Sequence, residues 1–139
     1  MLLIAFLVPA TVILGLFWYL PQVQEGNLQA EVRLENVPPA EFYKLDFEER
    51  PKVDRGIIAV ENLGQEEWTN FYIRINKAYS INDKDPIPAG ETRRYRLDKF
   101  ISKFGGAPLD IQLVQVTNVE VYARVTSGAR HTYDKNFAE

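Results

Sequence analysis

Between Leu2 and Leu20 the chain carries no charged, amide or histidine side chain, and that stretch constrains the fold more than any other feature. At a rise of about 1.5 Å per residue it makes a helix of roughly 28 Å, close to the ~30 Å apolar core of a bilayer. Phe17, Trp18 and Tyr19 stand at its end, where amphipathic rings favour the headgroup level, and Pro21 follows where a helix commonly stops. A cleaved signal peptide has a basic start, a shorter apolar run and small residues at the cleavage point. Here Met1 runs directly into leucine and bulky aromatics occupy the place where cleavage would fall. The reading is a retained transmembrane anchor over residues 1–20, a polar connector over 21–27 and one β domain over 28–139.

Orientation rests on little, because no Lys or Arg precedes the span and Arg33 is the first basic residue after it. A flank so poor in positive charge has nothing to hold it in the cytoplasm. The expected arrangement is N-terminus cytoplasmic and domain extracytoplasmic, periplasmic in a bacterium. Within the span, Thr11 and Gly15 form a small-xxx-small pair at which a second helix can approach closely, although a lipid-facing helix also tolerates small residues. No histidine in the span is available to ligate a haem iron.

Beyond the anchor, residues 28–35 alternate strictly, with Leu28, Ala30, Val32 and Leu34 against Gln29, Glu31, Arg33 and Glu35, as a half-buried strand does. Pro38-Pro39 ends it, and a second, weaker strand is expected around residues 42–47. Residues 57–61 and 68–76 read as strand, turn, strand about Asn62-Leu63-Gly64, with residues 79–81 extending the second or starting another. A further strand is expected over residues 93–97, with Arg93, Tyr95 and Leu97 on one side and Arg94 and Arg96 on the other. Asp98 is placed to cap a helical turn through Phe100, Ile101 and Phe104 that Gly105-Gly106 ends. Two apolar strands follow, over residues 109–116 and 119–125. Turn signals recur about every ten residues and no long amphipathic helix is present, the pattern of a sandwich or small barrel. The expected core comprises Val32, Leu34, Ile58, Val60, Phe71, Ile73, Ile75, Leu97, Leu113, Val121 and Val125, with Trp68 assigned to it as well.

The segments Ile57-Ile58-Ala59-Val60-Glu61-Asn62-Leu63-Gly64, Trp68-Thr69-Asn70-Phe71-Tyr72-Ile73-Arg74-Ile75-Asn76 and Ile87-Pro88-Ala89-Gly90-Glu91-Thr92 resemble the immunoglobulin-like sandwiches of bacterial surface proteins, including the cell-adhesion-related domain type. In that pattern a strand ends in Asn-x-Gly, the next alternates, and an Ala-Gly-Glu-Thr turn leads onward. The resemblance spans about a third of the chain. It implies an antiparallel immunoglobulin-like β-sandwich and transfers no active site.

Hydrophobic residues at 46% and charged residues at 25% allow a core to form, and 139 residues allow one domain beyond the anchor. A net charge of −3 offers no broad positive field for a phosphate backbone, so nucleic acid is not an expected partner. Without cysteine there are no disulfides, thiolate nucleophiles or iron–sulfur clusters. His131 lacks neighbours with which to act as base or metal ligand and is read as a surface or structural residue. Asn82, Asp83 and Asp85 lack the spacing of a calcium loop and are read as a turn. Glu48 and Glu49, beside Arg50 and Lys52, read as a solvated mixed-charge loop. No cofactor is expected.

Arg93, Arg94 and Arg96 form the densest basic cluster. They read as a solvated strand face or, alternatively, as a contact for anionic headgroups or an acidic partner. The expected function is a non-catalytic accessory subunit that packs on other membrane-protein subunits and on the lipid bilayer. A tethered ligand- or protein-binding module is the alternative, and an unrecognised enzyme a third. Intact mass spectrometry of the membrane-extracted protein should find residues 2–20 still attached; a mature form beginning after Tyr19 would remove the anchor.

Overall fold

The computed structural model describes residues 26–53 and 55–137. The expected anchor, with Thr11, Gly15, Phe17, Trp18 and Tyr19, lies outside the described residues. Among the described residues no helix is long and apolar enough to cross a membrane.

Strand makes up 46% and helix 10% of the structure, so the domain is mainly β. Strands β2 (Ala30–Glu35), β3 (Ile57–Asn62) and β6 (Thr92–Arg96) form one sheet in the order β2-β3-β6. The other holds β1 (Gly26–Asn27), β4 (Trp68–Ile75), β5 (Tyr79–Asp83), β7 (Ile101–Ser102), β8 (Asn118–Val125) and β9 (Arg130–Asn136), in the order β1-β9-β8-β4-β5-β7. Every strand pairing is antiparallel except that of β1 with β9. The β1 strand lies in the stretch expected to be connector, and β9 lies where no strand was expected.

One buried cluster joins the two sheets, with Val32, Ile58 and Val60 from the first and Phe71, Ile73, Ile75, Val119, Val121 and Val125 from the second. These are the inward positions of a period-two pattern. Trp68 does not share their parity on β4, yet it is 1% exposed. The cause is a bulge: Thr69 pairs with Arg124 and Tyr72 with Tyr122, so three steps on β4 match two on β8. Asn70 takes the left-handed conformation there, at φ 47°, and the extra residue turns Trp68 inward.

Three expectations are corrected. Residues 109–116 are not a strand, because Asp110 draws the chain into a turn: its Oδ1 accepts from the Gln112 N–H at 2.9 Å, and its carbonyl accepts from Leu113 and Val114 at 3.0 and 2.9 Å. The wrap buries Leu109, Ile111 and Val116 and leaves Leu113 55% exposed, so Leu113 is not a core residue. Residues 42–47 form no strand either; two 3-10 turns, Ala40–Lys44 and Phe47–Glu49, occupy the region. The turn expected after Asp98 is Leu97–Lys99, without a side-chain cap, and it passes into β7. The remaining expected core residues are buried, with Leu34 partly buried against them.

The stretch of the two 3-10 turns is fastened by Arg50, which is not simply solvated. Its guanidinium donates to the carbonyls of Leu45, Gln112 and Tyr43 at 3.2, 2.8 and 3.1 Å, and lies over the rings of Phe42, Tyr43 and Phe47. Gly56 ends the segment where a Cβ would come within 2.7 Å of the Ile111 Cδ1 methyl and 2.8 Å of the Leu97 Cδ1 methyl, so any larger residue there requires those side chains to shift.

Asn62 is fully buried. Its amide donates to the carbonyls of Glu66 and Ile87 at 2.9 and 3.0 Å, and its Oδ1 accepts from the Gly64 N–H at 3.0 Å. An apolar replacement leaves those groups without partners in a dry site, at a cost of about 1–3 kcal/mol for each one left unsatisfied. Asn62→Leu should therefore lower stability by roughly 3 kcal/mol or more, whereas Leu113→Ser should change it by less than about 0.5 kcal/mol. Urea denaturation of the two variants side by side checks both.

Candidate functional site

The basic cluster on β6 is divided by strand alternation. Arg93 and Tyr95 pair with Val60 and Ile58 of β3 and point to the edge of the core. The Arg93 guanidinium donates to the carbonyls of Asp85 and Pro86 at 2.7 and 2.8 Å and lies 3.4 Å from Asp83 Oδ2. The Tyr95 hydroxyl donates to that same oxygen at 2.6 Å, and its ring meets Phe71 edge-on. Since Asp83 belongs to β5, this contact clasps one sheet to the other. Arg94 and Arg96 point outward, where Arg94 pairs with Glu35 at 3.0 Å and Arg96 with Asp98.

Of the expected turn residues, Asn82 and Asp83 close β5, paired with Tyr72 and Phe71, and the chain turns only beyond them, where Asp83 accepts from the Asp85 N–H at 2.9 Å. Among the described residues no group of three or more histidine, aspartate or glutamate side chains is placed to hold a metal ion.

The most developed surface feature lies on the outer face of β4, β8 and β9. Because Val119, Val121, Ala123 and Val125 point inward, Glu120, Tyr122 and Arg124 point out. Tyr72 is in register with Tyr122, their ring centroids 5.6 Å apart. The Tyr122 hydroxyl donates to Glu120 at 2.7 Å and accepts from Arg74 at 3.0 Å, while Arg74 pairs with Glu120 at 3.0 Å. The bond to Glu120 foremost, and partial burial next, raise the Tyr122 phenol above its ordinary range. This closed set of bonds holds the aromatic pair in one orientation.

Beside the tyrosines, Arg124 and Arg130 occupy directly opposed positions on β8 and β9. Among the described residues neither has an acidic partner. Together with Asn70 at the bulge, and with His131, they line an open cleft of about 510 Å³. His131 thus stands beside the cleft. Assigning Phe71, Ile73 and Ile75 to the core put Tyr72 on the other face of β4; what hid the site was β9, whose polar sequence Arg-His-Thr-Tyr-Asp-Lys-Asn carries no apolar alternation.

No protein-family model matches the chain, and no curated protein matches it.

The inter-sheet clasp carries a pH signature. Burial, and then the bond to Asp83, hold the Tyr95 phenol far above its ordinary range. Burial alone would raise the Asp83 carboxyl, but the bonds from Tyr95, the Asp85 N–H and Arg93 outweigh it and leave Asp83 below its usual value. A phenol raised in the folded state stabilises fully below its unfolded value of about 10, and that contribution is lost as pH rises through the folded value. The depressed Asp83 carboxyl stabilises fully above about 3.9, and its contribution is lost as pH falls through the folded value. Tyr95→Phe should lower the urea midpoint at neutral pH and flatten the fall of stability above about pH 10. Titrating both proteins from pH 7 upward checks it.

Proposed function

We propose that this chain is a single-pass membrane protein whose domain is an immunoglobulin-like sandwich, serving as a non-catalytic accessory subunit of a larger membrane assembly. The observation that carries the reading is the outer face of β4, β8 and β9, where a fixed tyrosine pair and two arginines that have no acidic partner among the described residues are offered to solvent. Aromatic and arginine side chains are the types most enriched where proteins meet. The strand order supports the immunoglobulin-like assignment: β2-β3-β6 opposite β9-β8-β4-β5 follows the arrangement of strands A, B and E against G, F, C and C′. The departure is β1, which pairs with the last strand before β2 joins the other sheet.

The tether supports the same reading. Gly26 of β1 is in register with His131, so the chain joins the sheet at the end that bears Arg130. Residues 21–25 extend at most about 17 Å, which keeps the domain at the bilayer, on the extracytoplasmic side given the flanking charges. Contacts through the Thr11/Gly15 notch and through the domain then reinforce each other by raising effective concentration. Phe17, Trp18 and Tyr19 fix the depth of the helix. Of the β6 cluster, Arg93 is committed to the clasp, while Arg94 and Arg96 remain at the surface for partner or headgroup contact.

A second reading, a tethered ligand-binding module, is favoured by one observation, a cleft volume within the ~300–1,000 Å³ typical of ligand sites. Extraction in mild detergent, native mass measurement and identification of whatever travels with the protein separate the two. The subunit reading expects a partner at fixed stoichiometry and its loss in Gly15→Leu. A lone monomer whose size Gly15→Leu does not change removes the subunit reading and leaves the binding module.

A further inference from the structure

We infer that the outer face of β4, β8 and β9 is a docking site for an acidic, extended segment of a partner protein, its carboxylate held by Arg124 and Arg130 and its backbone laid over Tyr72 and Tyr122; the inference rests on the accessory-subunit reading. Every other arginine carried on a strand, namely Arg33, Arg74, Arg93, Arg94 and Arg96, has a carboxylate within salt-bridge distance. Arg124 and Arg130 instead face one another across an antiparallel pair. Like charges directly opposed on a sheet destabilise it, and an incoming anion turns that repulsion into attraction. Two guanidinium forks on one face match the planar geometry of a carboxylate.

The rest of the face suits an extended chain. Tyr122 is held by Glu120 and Arg74, so little ordering remains to be done on binding. Asn70, exposed at the bulge, adds an amide that both donates and accepts. The arrangement selects a protein segment over an anionic bilayer for a reason of charge distribution. The turns at the same end of the sandwich carry the exposed acids Glu66, Glu67, Asp85 and Glu91, against one lysine, Lys84. A headgroup layer approaching that end meets these acids first, whereas a chain laid across the sheet face meets the arginines.

The test uses full-length protein in an uncharged detergent and the peptide acetyl-Glu-Glu-Phe-Glu-Glu-amide, with its glutamine counterpart as control, followed by amide chemical-shift changes. The expected result is a response centred on residues 69–74, 120–124 and 130–132, weakened at least tenfold by Arg124→Glu and absent with the glutamine peptide. Arg124→Glu also creates an opposite-charge pair with Arg130, so its melting temperature should equal or exceed that of the wild type while binding is lost. A residue needed only for folding would not behave that way. Failure of the glutamate peptide to bind, or binding that Arg124→Glu leaves unchanged, overturns the site. So does flotation with phosphatidylglycerol vesicles that Arg124→Glu abolishes while peptide binding is absent, because the arginines then serve headgroups. A partner that co-extracts and is not released by Arg124→Glu overturns the site and leaves the subunit reading standing. Peptide binding by a protein that extracts alone does the reverse.

Discussion

A fully buried polar residue, Asn62, holds together one end of the sandwich. Its backbone N–H donates to Glu91 and its carbonyl accepts from Gly90, at 2.9 and 2.8 Å, while its side chain joins Gly64, Glu66 and Ile87. Two connections are thereby fixed by one residue, the β3–β4 turn and the β5–β6 turn. Ile87 then meets Trp68 in a pair of backbone bonds of 3.0 Å, and Trp68 closes the core against Phe71. Buried amides are costly unless satisfied, so this one specifies a single arrangement of the turns where an apolar residue would tolerate many.

Asn76 plays the corresponding part at the other end. Its Oδ1 accepts from the N–H groups of Thr117 and Asn118 at 2.8 and 3.1 Å, and its amide donates to Gln115 at 2.7 Å. It therefore ties the end of β4 to the segment that leads into β8. The open edges between the sheets are closed by polar clasps: Tyr95 and Arg93 on Asp83, and Lys135, which reaches across to Glu31 and to the Val32 carbonyl, each at 2.9 Å. With both ends and both edges tied, the bonds inside the domain hold the strands that carry the outer face of β4, β8 and β9 in one arrangement.

Charge is distributed to the same effect. The arginines that face neighbouring strands elsewhere are neutralised within the domain, so the cluster that is densest along the chain is not the least compensated in space. Sequence density counts neighbours along the backbone, whereas compensation depends on carboxylates contributed by distant strands: Glu35 for Arg94 and Asp83 for Arg93. Arg124 and Arg130 are separated by a turn and look unremarkable in sequence, yet the antiparallel pairing sets them face to face.

Much of this was legible from the chain by itself. Period-two alternation in residues 28–35 and in the second half of β4, with the β-branched run of residues 57–61, is local steric and hydrophobic information, and it correctly assigned the β class and most of the core. Turn chemistry at Asn62-Leu63-Gly64 was likewise local, and so were the apolar run of residues 2–20 and the expectation it carries. Tertiary structure decided what depends on contacts far apart in sequence. The bulge at Asn70 reset the phase of β4 because Trp68 had to reach the core. Asp110 turned an apolar run into a wrap that buried Leu109 and Ile111 and exposed Leu113. The polar strand β9 formed because β8 offered it an edge, and only that pairing brought Arg130 beside Arg124. Periodicity records which side of a strand a residue prefers, and it holds no information about which strand lies next to it.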